Sequence, residues 1–356
     1  MLPYIILFVV VIFLLWSGGE NRLAKLNMFT YLTVGMMLVI FATIRSRMVG
    51  TDSNNYVEIY NQFYNNDGDI FGKQNSLGKG YLFVQQVASN FSSNYWSIFF
   101  VTALICVSLN LTLIYKLSTN IKVSVFVYMT LCTYFFMFNG ARQALAASIV
   151  GYSIWFVVYG RKYPYYLIIL VASTFHVTAL IMLPFYAILR QPFKRKNILL
   201  YLIGGFLSLE YLWPLLGLLS EGTYDRYSMY ESRNAQGGYL LTVFFIIYNI
   251  ALLVLRDRIV KAQRHEYSIY LNMCLISSVI YIVTTFTGSD VNIIRLSMYF
   301  STGYILILPI TLRSVRLQNM KIVLYTIGVL HISFMCVYLM RFSDLYPYLT
   351  NKYLFG

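Results

Sequence analysis

The residues able to do polar chemistry in this chain gather in a few short stretches between long apolar runs. "RSRMVGTDSNNY" places Arg45, Arg47 and Asp52 around Gly50, with Tyr56 one helical turn further on. Arg142 opens "ARQALAASIV", His176 stands in "STFHVTAL", and Arg295 follows Asp290 in "SDVNIIRLSM". Asp225 and Arg226 sit among Tyr224, Tyr227 and Tyr230 in "GTYDRYSMYESR". Guanidiniums grip phosphate through paired, charge-assisted hydrogen bonds of about 1.5–3 kcal/mol each. A carboxylate or an imidazole accepts a proton. These residue types suit acid–base chemistry on a phosphate-bearing substrate. The tyrosines and carboxylates of 220–237 suit carbohydrate, whose C–H faces stack on aromatic rings.

Each of these residues also has a plainer reading. Asp52 precedes Tyr56, Tyr60, Phe63 and Tyr64, whose helical spacing predicts a short interfacial helix, so Asp52 serves equally as its N-cap. Arg45, Arg47 and Arg142 serve as side chains snorkelling to headgroups. Arg295 has Asp290 as a local partner, and His176 reads equally as a hydrogen-bonded core histidine. The tyrosines of 220–237 fit an interfacial aromatic belt. The chain has no GxGxxG, P-loop or HExxH pattern and no Cys/His cluster. The expectation is chemistry without a metal or other cofactor, in which arginine neutralises phosphate.

The elements that must position these groups are membrane helices. The chain has 356 residues, 59% hydrophobic and 11% charged, against about a quarter charged in soluble domains. Apolar runs near the ~20 residues of a transmembrane helix recur along the whole length. The β-barrel alternative is excluded, since its strands alternate over ~10 residues. The formal charge of +14 falls mainly in short inter-helix loops, where it sets orientation rather than nucleic-acid binding. The cluster "RQPFKRK" suits the anionic headgroups of membrane lipids. Cys106, Cys132, Cys274 and Cys336 lie singly in apolar stretches and imply no disulfide or zinc framework. "MLPYIILFVVVIFLLW" reads as a retained first helix rather than a signal peptide.

The expected architecture is an all-α polytopic membrane protein, one transmembrane domain over 1–356. About ten full crossings are predicted at 2–16, 28–44, 96–115, 121–139, 141–159, 197–219, 238–255, 267–287, 291–312 and 322–340. Loops 46–95 and 220–237 are expected outside, carrying short amphipathic helices. The remaining apolar stretch, 163–189, has basic residues at both flanks. At ~1.5 Å per residue it covers only ~40 Å, short for two crossings and suited to a re-entrant hairpin of partial helices turning at Ser173, Thr174 and His176. The alternative is one long tilted helix. With the hairpin, both termini lie outside, together with 45–56, Arg142, His176, Asp225, Arg226, Asp290 and Arg295.

"RSRMVGTDSNNY" resembles the R-x-x-x-G-x-D-x-x-x-Y signature of EpsG-like membrane proteins, through Arg47 or Arg45, Gly50, Asp52 and Tyr56. "GYLF", "NGARQALAASI" and "STFHVTALI" follow in the order expected for that family. The family is similar to Wzy-type polymerases of exopolysaccharide, capsule and O-antigen repeat units. The resemblance implies a metal-independent, GT-C-like glycosyltransferase joining undecaprenyl-diphosphate-linked oligosaccharides on the outer face of the bacterial inner membrane, with a chain-length regulator as a further partner. An O-antigen ligase or another lipid-linked-sugar transferase is the nearest alternative, and a lipid-linked oligosaccharide flippase the alternative from another class. The catalytic expectation falls on Arg142 for the leaving diphosphate and on Asp52 or His176 for the proton. Arg45, Arg47, Tyr56, Arg295, Asp290, Asp225 and Arg226 are expected to bind diphosphate or sugar. The family's glutamate ahead of its Gly–aromatic pair is absent: Gly78 and Lys79 precede Gly80 and Tyr81. That leaves Asp52, Asp290 or His176 as the base.

Overall fold

The structure is a computed structural model that describes residues 1–18, 27–65, 78–219, 238–287, 291–315 and 320–352, with the backbone alone over 208–219, 291–292 and at 320. The described residues are helical throughout, without strands. In chain order the helices are α1 (Leu2–Ser17), α2 (Met28–Thr43), α3 (Ser53–Tyr64), α4 (Lys79–Ser89), α5 (Trp96–Leu117), α6 (Ile121–Thr130), α7 (Phe136–Asn139) and α8 (Ala141–Val158). There follow α9 (Lys162–Ser173), α10 (Phe185–Arg190), α11 (Lys196–Leu219), α12 (Tyr239–Leu255), α13 (Arg264–Thr287), α14 (Val291–Ile294), α15 (Thr302–Ser314) and α16 (Met320–Arg341).

Local chemistry starts several of these helices where the sequence places a polar residue before an apolar run. The Asn27 side chain accepts from Phe29 N at 3.1 Å to open α2, and Asn120 accepts from Val123 N at 3.3 Å to open α6. Both are ordinary N-caps. Five stretches among the described residues are long and apolar enough to cross a membrane: Trp96–Leu117, Ala141–Val158, Tyr239–Arg258, Lys261–Thr287 and Lys321–Arg341. Leu2–Ser17, Met28–Thr43, Ile121–Thr130 and Lys196–Leu207 are shorter apolar helices.

Two of the expected continuous spans are broken. The span 121–139 stops at Thr130, because Cys132 takes the left-handed φ of 60° and interrupts the hydrogen-bond ladder before α7. The span 291–312 divides into α14, a 3-10 turn Arg295–Phe300 and α15. The amphipathic helices expected in 46–95 are α3 and α4; those expected in 220–237 lie outside the described residues.

The stretch 163–189 is not one helix. After α9 the chain turns at 174–176, enters a 3-10 turn Val177–Met182 and returns as α10. The Tyr165 hydroxyl donates to Met182 O at 2.5 Å, and the Tyr165 ring lies 5.4 Å from that of Tyr186. At the base, Arg190 Nη1 donates to Val157 O at 2.7 Å, so the segment leaves and returns at one end of the bundle. Its tip receives the glycine motif: Gly80 N donates to Thr174 O at 3.0 Å, and a Cβ on Gly80 would meet Thr174 Oγ1 and the Phe175 ring.

The end of the bundle that carries the hairpin tip is closed by the C-terminal strap. Gly50 N donates to Asp344 O at 3.0 Å, Ser46 N to Leu349 O at 2.8 Å, and Asn351 N to Ile44 O at 2.8 Å. Tyr4 of α1 donates to Leu345 O at 2.5 Å. Residues near both ends of the chain thus meet beside the 44–50 segment. Gly50 is required here, since its φ is +100° and a Cβ would collide with the Phe138 carbonyl. Gly50→Ala should therefore lower stability by about 1–3 kcal/mol. Gly328→Ala, in the interior of α16 with nothing within 4 Å of the added Cβ, should not lower it and should raise it by up to about 1 kcal/mol. Thermal unfolding of the purified protein in detergent compares the two.

Candidate functional site

Asp52 occupies the N-cap position of α3, yet its side chain makes no capping hydrogen bond. Its Oδ2 instead accepts from Arg295 Nη1 at 3.2 Å, across 243 positions of sequence. Both side chains are about 30% exposed. Neighbouring contacts set the carboxylate in place: Thr51 N donates to Asn139 Oδ1 at 3.2 Å, and Ser53 Oγ donates to Phe138 O at 2.8 Å. The capping reading of Asp52 yields to this tertiary ion pair; the expected local Asp290–Arg295 pair lies outside the described residues, since Asp290 does.

His176 stands in the hairpin turn, outside the spanning helices. Its Nδ1 is 2.6 Å from Thr178 Oγ1, which is 2.8 Å from the hydroxyl of fully buried Tyr299. Tyr299 belongs to the same 3-10 turn as Arg295, so this relay ties the hairpin to the element that carries the ion pair. Burial first, then the guanidiniums of Arg142 and Arg295, push the His176 pKa down to about 3. The imidazole is therefore neutral at physiological pH, with its ring orientation set through Nδ1.

Arg142 is the second residue of α8, three positions after α7 ends at Asn139, and is half-buried. Its charge acts on His176 and on the hydroxyl of fully buried Tyr81. The Tyr81 ring lies 5.6 Å from that of Tyr56. The fold thus gathers Asp52, Tyr56, Arg142, His176 and Arg295 from α3, α8, the hairpin turn and the 3-10 turn.

The remaining predicted residues divide. Arg45 is not available to a substrate: it is 1% exposed, with its guanidinium 3.7 Å from the Phe99 ring centroid and 4.3 Å from that of Phe138. It donates to Ala42 O. The expected diphosphate contact from Arg45 is corrected to a structural one, because a cation held between two aromatic faces has exchanged its water for ring quadrupoles. Arg47 is exposed and acts on Tyr95. Asp225 and Arg226 lie outside the described residues.

Three contributors were not singled out from the sequence. Thr178 is a polar residue two places after His176 inside an apolar run, a signal that was available. Tyr81 follows the glycine of "GYLF", and its importance depends on that glycine docking to the hairpin. Tyr299 has no signal among 33 tyrosines. A partly exposed ion pair contributes about 1 kcal/mol or less to stability. A double-mutant cycle of Asp52→Asn and Arg295→Gln on thermal unfolding should accordingly give a coupling of that size. A coupling several-fold larger would mark the pair as a structural bridge.

The model of the EpsG family matches residues 28–350, a stretch that contains every side chain of this cluster. No curated protein and no solved structure matches the chain. The family match covers nearly the whole chain, apolar helices and polar cluster together: the chain belongs to the EpsG family.

Proposed function

We propose that this protein is a polysaccharide polymerase. It transfers an oligosaccharide repeat unit from undecaprenyl diphosphate to the terminal sugar of another lipid-linked unit, on the outer face of the bacterial inner membrane. Membership of the EpsG family supports a role in polysaccharide biosynthesis at a membrane. The observation that carries the finer reading is the cluster itself. One carboxylate, one neutral imidazole and two guanidiniums meet at the hairpin end of an apolar bundle.

In this reaction a sugar hydroxyl of the acceptor attacks the anomeric carbon of the donor. The bond from that carbon to the diphosphate oxygen breaks, and the diphosphate leaves with the electron pair. Arg142 and Arg295 stabilise the charge that develops on it. Asp52 or His176 takes the hydroxyl proton. The Asp52–Arg295 pair links the two roles: a diphosphate that engages Arg295 competes with Asp52 for the guanidinium and frees the carboxylate beside the acceptor.

Arg142→Ala should abolish long-chain polymer, with a fall of about 10²–10³ in rate, while the protein inserts in the membrane as before. Arg142→Lys should recover little, since lysine lacks the bidentate fork. Normal chain-length ladders from Arg142→Ala would overturn the assignment. A second test uses pH. With the His176 pKa near 3, the ratio of wild-type to His176→Gln activity should stay constant from about pH 5.5 to 7.5. An imidazole titrating at about 6.5 would make it change several-fold in that range.

A further inference from the structure

Two hydroxyls join His176 to the turn that carries Arg295, and the protons along this chain have a direction. His176 Nδ1 is 2.6 Å from Thr178 Oγ1, which is 2.8 Å from the Tyr299 hydroxyl. Thr178 and Tyr299 are buried, so both hydroxyls are shielded from bulk water. A hydroxyl has one proton to donate. Thr178 Oγ1 has no third partner among the described residues, so its proton goes either to Nδ1 or to Tyr299. In the first case Nδ1 is bare and the neutral ring carries its proton on Nε2. In the second the proton is on Nδ1 and Nε2 is bare.

Two features favour the first direction. A phenol donates better and accepts worse than an alkyl hydroxyl, because its oxygen lone pair is drawn into the ring. Tyr299 therefore donates to Thr178, and Thr178 to Nδ1. The second direction would also leave a bare Nε2 lone pair on a ring that feels the guanidiniums of Arg142 and Arg295. Guanidiniums are donors only, and such a lone pair would draw one of them. Among the described residues nothing is bonded to Nε2.

An imidazole in this state has its lone pair already engaged by Thr178. It can offer a hydrogen bond outward, but it cannot take a proton without giving up the Thr178 contact. Its pKa near 3, held down by burial and then by the two guanidiniums, opposes proton uptake as well. Asp52 has the opposite endowment. Its Oδ2 accepts from Arg295, its Oδ1 accepts from no described group, and its side chain is 30% exposed. Tyr299 and Arg295 belong to one 3-10 turn, so the imidazole and the carboxylate are anchored on the same element.

We propose that Tyr299 and Thr178 fix His176 as its Nε2–H tautomer, so that His176 donates a hydrogen bond to the departing diphosphate oxygen and Asp52 takes the proton. Thr178 and Tyr299 are positioning residues. The roles rest on the glycosyl transfer proposed above; the tautomer does not. As the acceptor hydroxyl oxygen bonds to the anomeric carbon, its proton passes to Asp52 Oδ1. The bond from that carbon to the diphosphate oxygen breaks, and the electron pair stays on that oxygen. The Nε2–H hydrogen bond to it strengthens while His176 keeps its proton.

The tautomer is read by solid-state NMR on the full-length protein in lipid bilayers with isotope-labelled histidine. The chain has three histidines, and the signals of His176 are those lost in His176→Gln. The expected spectrum at neutral pH shows a protonated Nε2 and a bare Nδ1; a protonated Nδ1 would overturn the proposal. Thr178→Val should show both tautomers, and Thr178→Ser should restore the single one. An unchanged tautomer in Thr178→Val would overturn the role of the relay. The roles are read with defined lipid-linked repeat units. His176→Ala should lower kcat by about 10²–10³-fold, and His176→Gln, whose amide N–H stands near the Nε2 position, should keep at least about tenfold more. Asp52→Asn should lower kcat by about 10²–10⁴-fold. Equal rates for the Gln and Ala variants, or a wild-type rate for Asp52→Asn, would overturn the roles. A bare Nδ1 in a protein that makes no polymer would support the relay while overturning the polymerase reading.

Discussion

Backbone that leaves the helical ladder inside an apolar bundle must find its hydrogen-bond partners within the protein, because lipid supplies none. The non-helical segments of this chain meet that requirement largely by pairing with one another. Thr174 of the hairpin tip accepts from Gly80, the α7 corner accepts from Thr51 and Ser53, and Gly50 donates to the C-terminal strap. The polar cluster lies where these segments converge. Its position follows from backbone satisfaction as much as from any demand of chemistry.

That convergence explains why similar arginines have different fates. Arg45 leaves α2 beneath the strap, between Phe99 and Phe138, where aromatic faces replace water. Arg295 sits in a tight 3-10 turn that brings it to Asp52, with its side chain 31% exposed. Arg142 starts a helix beside the hairpin turn and sets the electrostatic environment of His176 together with Arg295. Two guanidiniums near one imidazole repel its protonated form.

Much of the fold was legible along the chain. The apolar runs located α1, α2, α5, α8, α12, α13 and α16, and the basic flanks of 163–189 pointed to a segment that doubles back. The breaks at Cys132 and Arg295 were not legible, since an apolar run has the same composition whether its helix is continuous or divided. Within the cluster, Asp52, Arg142, His176 and Arg295 stood out because charged or ionisable residues at the edge of apolar helices are conspicuous. Thr178, Tyr81 and Tyr299 were hidden by their ordinary types.

By itself the sequence determined the class of protein, the places where helices start and the residue types available for phosphate and proton chemistry. These depend on transfer free energy and local capping, which act over a turn or a span. Only the tertiary structure decided that Asp52 pairs with Arg295 rather than capping its helix, and that Arg45 is buried while Arg142 is not. It also decided that His176 is held through Thr178 by Tyr299. Those outcomes depend on distances between segments up to 243 positions apart, and no local pattern of residues encodes them.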